Sequence, residues 1–210
     1  MQLAQILMNV AIVGLTVVGM VMILKGVGSP QHLVSHGKEN LKYFTVLSNL
    51  LVGFVALIAL VCLLFGMTTL PTVVTVLKLI SATGVMVTCL TTALLLTSLY
   101  GWKTMYAGGC LHFHLIVPLL AAVDCVLFAR VASLPVWATA CAMIPVLLYG
   151  VWYLRNVATH GVEEGGKTHD FYGFLRWGWG KVPIVLAGML GGTWAIALAL
   201  WSIGNMVGPA

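Results

Sequence analysis

Apolar residues run along this chain in six blocks, near 3–24, 43–65, 72–98, 111–128, 135–153 and 183–203. Short stretches rich in charge, glycine and proline separate them. Each block holds about 20 residues, enough as a helix to cross a hydrocarbon core of roughly 30 Å. A chain in lipid must satisfy its backbone polar groups internally, so the pattern predicts an all-α, six-transmembrane-helix bundle. It forms one domain over 1–210. The first block has no basic region before it and five more follow, so it is expected to stay as a helix rather than be cleaved as a signal.

Composition agrees with that pattern. Hydrophobic residues make up 61% of the 210 positions and charged residues 7%, with a mean hydropathy of +1.08. Such a chain cannot clothe a water-soluble core and is read as a multi-pass membrane protein. The five cysteines (Cys62, Cys89, Cys110, Cys125, Cys141) are odd in number, scattered and without CxxC spacing. They are read as buried apolar residues.

The net charge of +5 follows loop topology rather than a nucleic-acid partner. Lys25, Lys38 and Lys42 lie between blocks 1 and 2, Lys103 between 3 and 4, and Arg155, Lys167, Arg176 and Lys181 between 5 and 6; the other side offers Arg130. The positive-inside rule puts the three basic loops in the cytoplasm and both termini outside. The same face gathers aromatic residues, which read either as an interfacial aromatic belt or, for HDFYGFLRWGWG (169–180), as a loop along the membrane that lines an entrance for a lipid-like substrate. Gly188 and Gly192 form a GxxxG suited to helix packing.

Candidate chemistry comes from polar residues inside the blocks. Thr45, in KYFTVLSN (42–49), and His114 each lie about one turn inside their blocks, which puts them at nearly the same depth, roughly 5 Å below the interface. A threonine hydroxyl needs a base to become a nucleophile, and a neutral imidazole in apolar surroundings suits that task. An acceptor for the resulting imidazolium is required, and the sequence does not name it. Ser48 and Asn49 share a helix face with Thr45 and are oxyanion donors or interhelical glue. Pro118, four residues after His114, removes an N–H from the helix and is expected to kink it; it either only shapes the bundle or frees the His114 carbonyl as a local acceptor or water anchor beside the imidazole.

Asp124 is ten residues beyond His114, about 15 Å along a straight helix, and so cannot orient that imidazole. Lys78 lies at a matching depth, about 9 Å in from the outer face, and a structural Lys78–Asp124 ion pair is expected because intramembrane charges normally pair. His32, His36, His160 and His169 are placed in solvated loops; His169, beside Asp170, is the one singled out. The threonines of block 3 (Thr83, Thr88, Thr91, Thr92, Thr97) are expected to return their hydroxyls to backbone carbonyls one turn back.

KYFTVLSNLL at the head of block 2, HLIVPLLAAVD in block 4 and the FYGFL segment before block 6 together resemble the androgen-induced and androgen-dependent family of six-helix membrane hydrolases and its bacterial relatives. That resemblance implies hydrolysis of fatty acid esters of hydroxy fatty acids, or similar lipid esters. Thr45 would be the nucleophile and His114 the base, without a cofactor, in a bacterial inner membrane. It implies no settled role for Asp124. The chain departs from the animal pattern in the four-residue spacing of histidine and proline and in the SN after the threonine motif.

On the residues alone, two other classes compete with a hydrolase. One is a small transporter or ion- or proton-conducting protein with Lys78, Asp124 and His114 lining a path, although no inverted repeat is visible. The other is a six-helix haem carrier, which would need histidines on facing helices, whereas only block 4 contains any. A metal site is disfavoured because His112 and His114 fall on opposite sides of one helix.

Overall fold

The computed structural model describes residues 2–27, 37–164 and 167–207, so His32 and His36 lie outside the described residues. Six helices are long and apolar enough to cross a membrane: span 1 (Gln2–Leu24), span 2 (Phe44–Leu64), span 3 (Thr72–Tyr100), span 4 (Gly108–Leu127), span 5 (Val136–His160) and span 6 (Trp179–Val207). The bundle expected from the apolar blocks is therefore present. Spans 5 and 6 extend beyond their blocks, which shortens the link between them to 161–178. A two-residue antiparallel ladder, Glu163–Glu164 with Lys167–Thr168, lies in that link.

Span 1 shows how the bundle sorts its surfaces. Its buried positions are Gln5, Asn9, Ile12, Thr16, Gly19 and Ile23, spaced four and three residues apart, while Leu3, Leu7, Val17 and Val18 face outward. Lipid is as apolar as leucine, so burial of apolar side chains gives little drive to associate, and small and polar residues make the contacts instead. A methyl group on Gly19 would lie 2.7 Å from the Phe113 ring, one on Gly109 would lie 2.6 Å from Ile23, and one on Gly53 would lie 2.8 Å from Thr16. These glycines set the close crossings of span 1 with spans 4 and 2. Gly188 and Gly192 meet nothing within 4 Å, so the GxxxG of span 6 is not a packing contact here.

Span 6 is held by two indoles. Trp194 Nε1 donates to Thr139 Oγ1 at 3.0 Å, and Trp201 Nε1 donates to the Leu134 carbonyl at 2.9 Å. Interhelical hydrogen bonds of this kind contribute about 0.6–2 kcal/mol each.

Two spans are not regular α-helix. Span 3 contains a π-helical turn at Thr92–Leu96 and span 4 another at His112–Ile116, closed by the Val117 N–H on the His112 carbonyl. The expected kink at Pro118 thus takes the form of a wider turn just before the proline. Both π turns sit near the link that joins the two spans, where Gly101 (φ 83°) and Gly108 (φ 51°) bend the chain through a region that L side chains avoid. Between them lies one short helical turn, Trp102–Met105.

Gly109→Ala is expected to destabilise the protein by about 1–3 kcal/mol through overpacking against the span 1 backbone, whereas Gly14→Ala, which meets open space, is not. Thermal midpoints of the purified variants in one detergent provide the comparison.

Candidate functional site

The polar side chains form two knots at opposite ends of the bundle. At the end away from the basic loops, Lys78 Nζ lies 2.5 Å from Asp124 Oδ2 and also donates to Asn9 Oδ1. Asn9 Nδ2 donates to the Gln5 carbonyl at 2.8 Å and to Asp124 Oδ1 at 3.4 Å. All three residues are buried. The ion pair therefore joins spans 3 and 4, and Asn9 ties span 1 to both. Asn9 was missed in the sequence, although Gln5 and Asn9, one turn apart in an otherwise apolar helix, gave the signal.

The second knot lies near the basic face. Thr45, half-buried, is the second residue of span 2. Its carbonyl accepts from Asn49 Nδ2 at 2.8 Å and from Ser48 Oγ at 3.1 Å. Asn49 Nδ2 donates a second time, to the Phe113 carbonyl at 3.1 Å, and so bridges span 2 to the residue before His114. Ser48 Oγ is 3.3 Å from Thr88 Oγ1 on span 3.

These bonds change the expected role of Asn49. Both amide hydrogens are spent on carbonyls, so it has none to offer an oxyanion in this arrangement. Its Oδ1 is buried with no partner, and an acceptor of that kind suits a hydroxyl or a water. Two of the span 3 threonines also differ from expectation. Thr88 and Thr97 do bond one turn back, to the Gly84 and Ala93 carbonyls, but the buried hydroxyls of Thr83 and Thr92 have no partner.

His114 sits in the π turn of span 4, 7% exposed. Its Nδ1 is 2.8 Å from the carbonyl oxygen of Met105. A carbonyl can only accept, so Nδ1 carries the proton and Nε2 carries the lone pair. The acceptor that the sequence did not name is thus a main-chain atom in the link between spans 3 and 4. Tyr106 packs edge-on to the ring with centroids 6.5 Å apart, and Trp102 stacks on Tyr106 at 5.2 Å. A backbone acceptor leaves no mark on sequence pattern, which is why Met105 escaped notice.

The two candidate catalytic residues are not level along their helices. Asn49 meets Phe113, which puts the Thr45 backbone about one and a half turns, roughly 7.5 Å, nearer the basic face than that of His114. The imidazole closes part of this offset. Helical side chains lean toward the N-terminus, and this one reaches a carbonyl that precedes its own span. No hydrogen bond joins the two side chains.

His112 Nδ1 lies 3.1 Å from the carbonyl of Gly108, one turn back in its own helix. His169 stacks on His160 and faces Asn156 Nδ2 at 3.2 Å, while Asp170 turns elsewhere. The Asp170 carboxylate accepts from the Tyr153 hydroxyl and from the N–H groups of Phe174 and Leu175. That folds FYGFL into a compact turn against Tyr43, Phe44, Tyr149 and Tyr153. The Tyr172 hydroxyl accepts the Phe44 N–H at 3.0 Å, one residue before Thr45. Burial above all pushes the Tyr172 phenol up to about 12, so it stays neutral. Among the described residues, no group of three or more His, Cys, Asp or Glu side chains could hold a metal ion.

No protein-family model matches this chain, and no curated protein or solved structure does either.

Lys78→Met alone is expected to destabilise the protein by about 3–5 kcal/mol, because it strands a buried carboxylate, and Lys78→Met with Asp124→Leu recovers most of that loss. Thermal unfolding of the single and double variants in detergent measures the difference.

Proposed function

We propose that the protein is an intramembrane hydrolase of lipophilic esters, with Thr45 as nucleophile and His114 as general base. The observation that carries this reading is the anchoring of His114. A carbonyl on Nδ1 selects the tautomer whose Nε2 can take a proton, and it also stabilises the imidazolium that forms. Asn49 supports it by holding the Thr45 carbonyl and the carbonyl of Phe113, the residue before His114, on one amide, which ties the backbones of spans 2 and 4 together beside the two residues.

In the first half-reaction His114 Nε2 removes the hydroxyl proton as Thr45 Oγ1 attacks the ester carbonyl. The bond to the alcohol oxygen then breaks, the alcohol leaves with the proton from His114, and an acyl-threonine remains. In the second half, water attacks that acyl group, His114 takes a proton from the water and returns it to Thr45 Oγ1, and the carboxylic acid leaves. The uncommitted Oδ1 of Asn49 is suited to accept from that water. The basic face would be cytoplasmic, and the ester would enter from the inner leaflet.

The conducting alternative has less support. Lys78 and Asp124 spend their charges on each other and on Asn9, at the end of the bundle opposite His114.

His114→Ala is expected to lower ester hydrolysis in proteoliposomes by about 10²–10⁴-fold. Thr45→Ala should abolish it, and Thr45→Ser should retain part. A fluorophosphonate probe should label Thr45, as read by mass spectrometry. Wild-type turnover by a well-folded Thr45→Ala protein would refute the assignment.

A further inference from the structure

A pocket of about 420 Å³, within the size range of small-molecule sites, opens at the end of the bundle away from the basic loops. Its rim includes the exposed residues Thr68, Thr69 and Arg130, and Gln5, Thr75 and Phe128 also line it. Those last three each lie about one helical turn from a member of the buried knot below. Gln5 precedes Asn9, Thr75 precedes Lys78, and the Phe128 N–H bonds the Asp124 carbonyl at 3.0 Å. The pocket therefore sits where spans 1, 3 and 4 are held together.

Two side chains at its floor are buried yet have polar atoms to spare. Thr75 is 3% exposed, and its hydroxyl makes no hydrogen bond among the described residues. Gln5 is 9% exposed and spends one Nε2 hydrogen on the Phe128 carbonyl at 3.0 Å, which leaves its second amide hydrogen and Oε1 uncommitted. Buried polar atoms of this kind are costly without a partner, so a ligand that bonds them is favoured.

The surroundings set the sign of that ligand. Among the described residues no Asp or Glu side chain lines the pocket, whereas the Arg130 guanidinium does. Span 3 starts directly after Thr68–Leu70, and Pro71 at its N-cap gives no side-chain bond to the N–H groups of the first turn. Such a helix start carries partial positive charge. The Asp124 carboxylate one turn below is matched by Lys78 and does not oppose an anion.

We propose that this pocket binds a phosphate monoester or hydrogen phosphate, with Arg130 at the rim and Thr75 and Gln5 at the floor. The phosphate oxygens accept from the guanidinium, the hydroxyl and the amide, and the phosphate O–H donates to Gln5 Oε1. Two sources share that chemistry, a small soluble phosphate and the headgroup of phosphatidic acid. The assignment is independent of Thr45 and His114, which lie at the other end of the bundle.

Purified protein in dodecyl maltoside is titrated with sodium phosphate and, separately, with dioctanoyl phosphatidic acid. Sodium chloride at equal ionic strength and dioctanoyl phosphatidylcholine are the controls. The thermal midpoint is expected to rise with at least one phosphate ligand, in proportion to its occupancy, and not with the controls. Arg130→Gln and Thr75→Val should each weaken the apparent Kd by roughly tenfold or more, and Thr75→Ser should restore most of the affinity. Arg130 is exposed, so its exchange leaves the core unaltered, and the ligand-free midpoint of each variant reports any folding defect separately.

A response to inorganic phosphate supports a soluble ligand, and a response to phosphatidic acid alone supports a lipid headgroup. No response to either would overturn the site. An equal response in wild type, Arg130→Gln and Thr75→Val would mark a general salt or detergent effect and overturn it as well.

Discussion

An ammonium in the middle of six apolar helices persists only where a carboxylate meets it, and Lys78 and Asp124 supply that pair in spans 3 and 4. Neither helix can slide or rotate by a residue without parting them. Asn9 extends the constraint to span 1, whose other small and polar positions then fall against spans 2 and 4. Much of the bundle's register follows from this one contact. The depth of His114 follows in part, because it sits ten residues before Asp124 on the same span.

At the other end the constraint is met with uncharged groups. Two α-helical spans that ran regularly to the interface would present only side chains to an imidazole. A π turn in each, with a glycine-flanked link between them, instead brings a main-chain carbonyl to His114. The amide of Asn49 does comparable work between spans 2 and 4. Both devices use the backbone as an acceptor, which is economical in lipid, where every added polar side chain needs a partner of its own.

Much of this was legible in the sequence. Apolar runs of the right length gave all six spans, and the cost of isolated charge pointed to Lys78 and Asp124 as partners. The ends of spans 5 and 6 were harder, because Arg155, Asn156 and Lys181 are polar yet remain helical or open a helix at the interface. Hydropathy stops where lipid stops, whereas helices continue past that point. The surroundings of His114 were illegible for another reason: its partner is a peptide oxygen, placed by two irregular turns that no residue pattern encodes. Asn49 was recognised as polar and well placed. Only the geometry revealed that its donors were already committed, leaving its acceptor as the available atom.

The link between spans 3 and 4 has a consequence for how the protein can vary. Because a peptide oxygen holds the imidazole, the amino acid at position 105 is free to change so long as its bulk is accommodated. The number of residues between Gly101 and Gly108 is not free. Adding or deleting one would carry a different oxygen to the ring, or none, so this segment tolerates exchange of side chains and resists insertion and deletion.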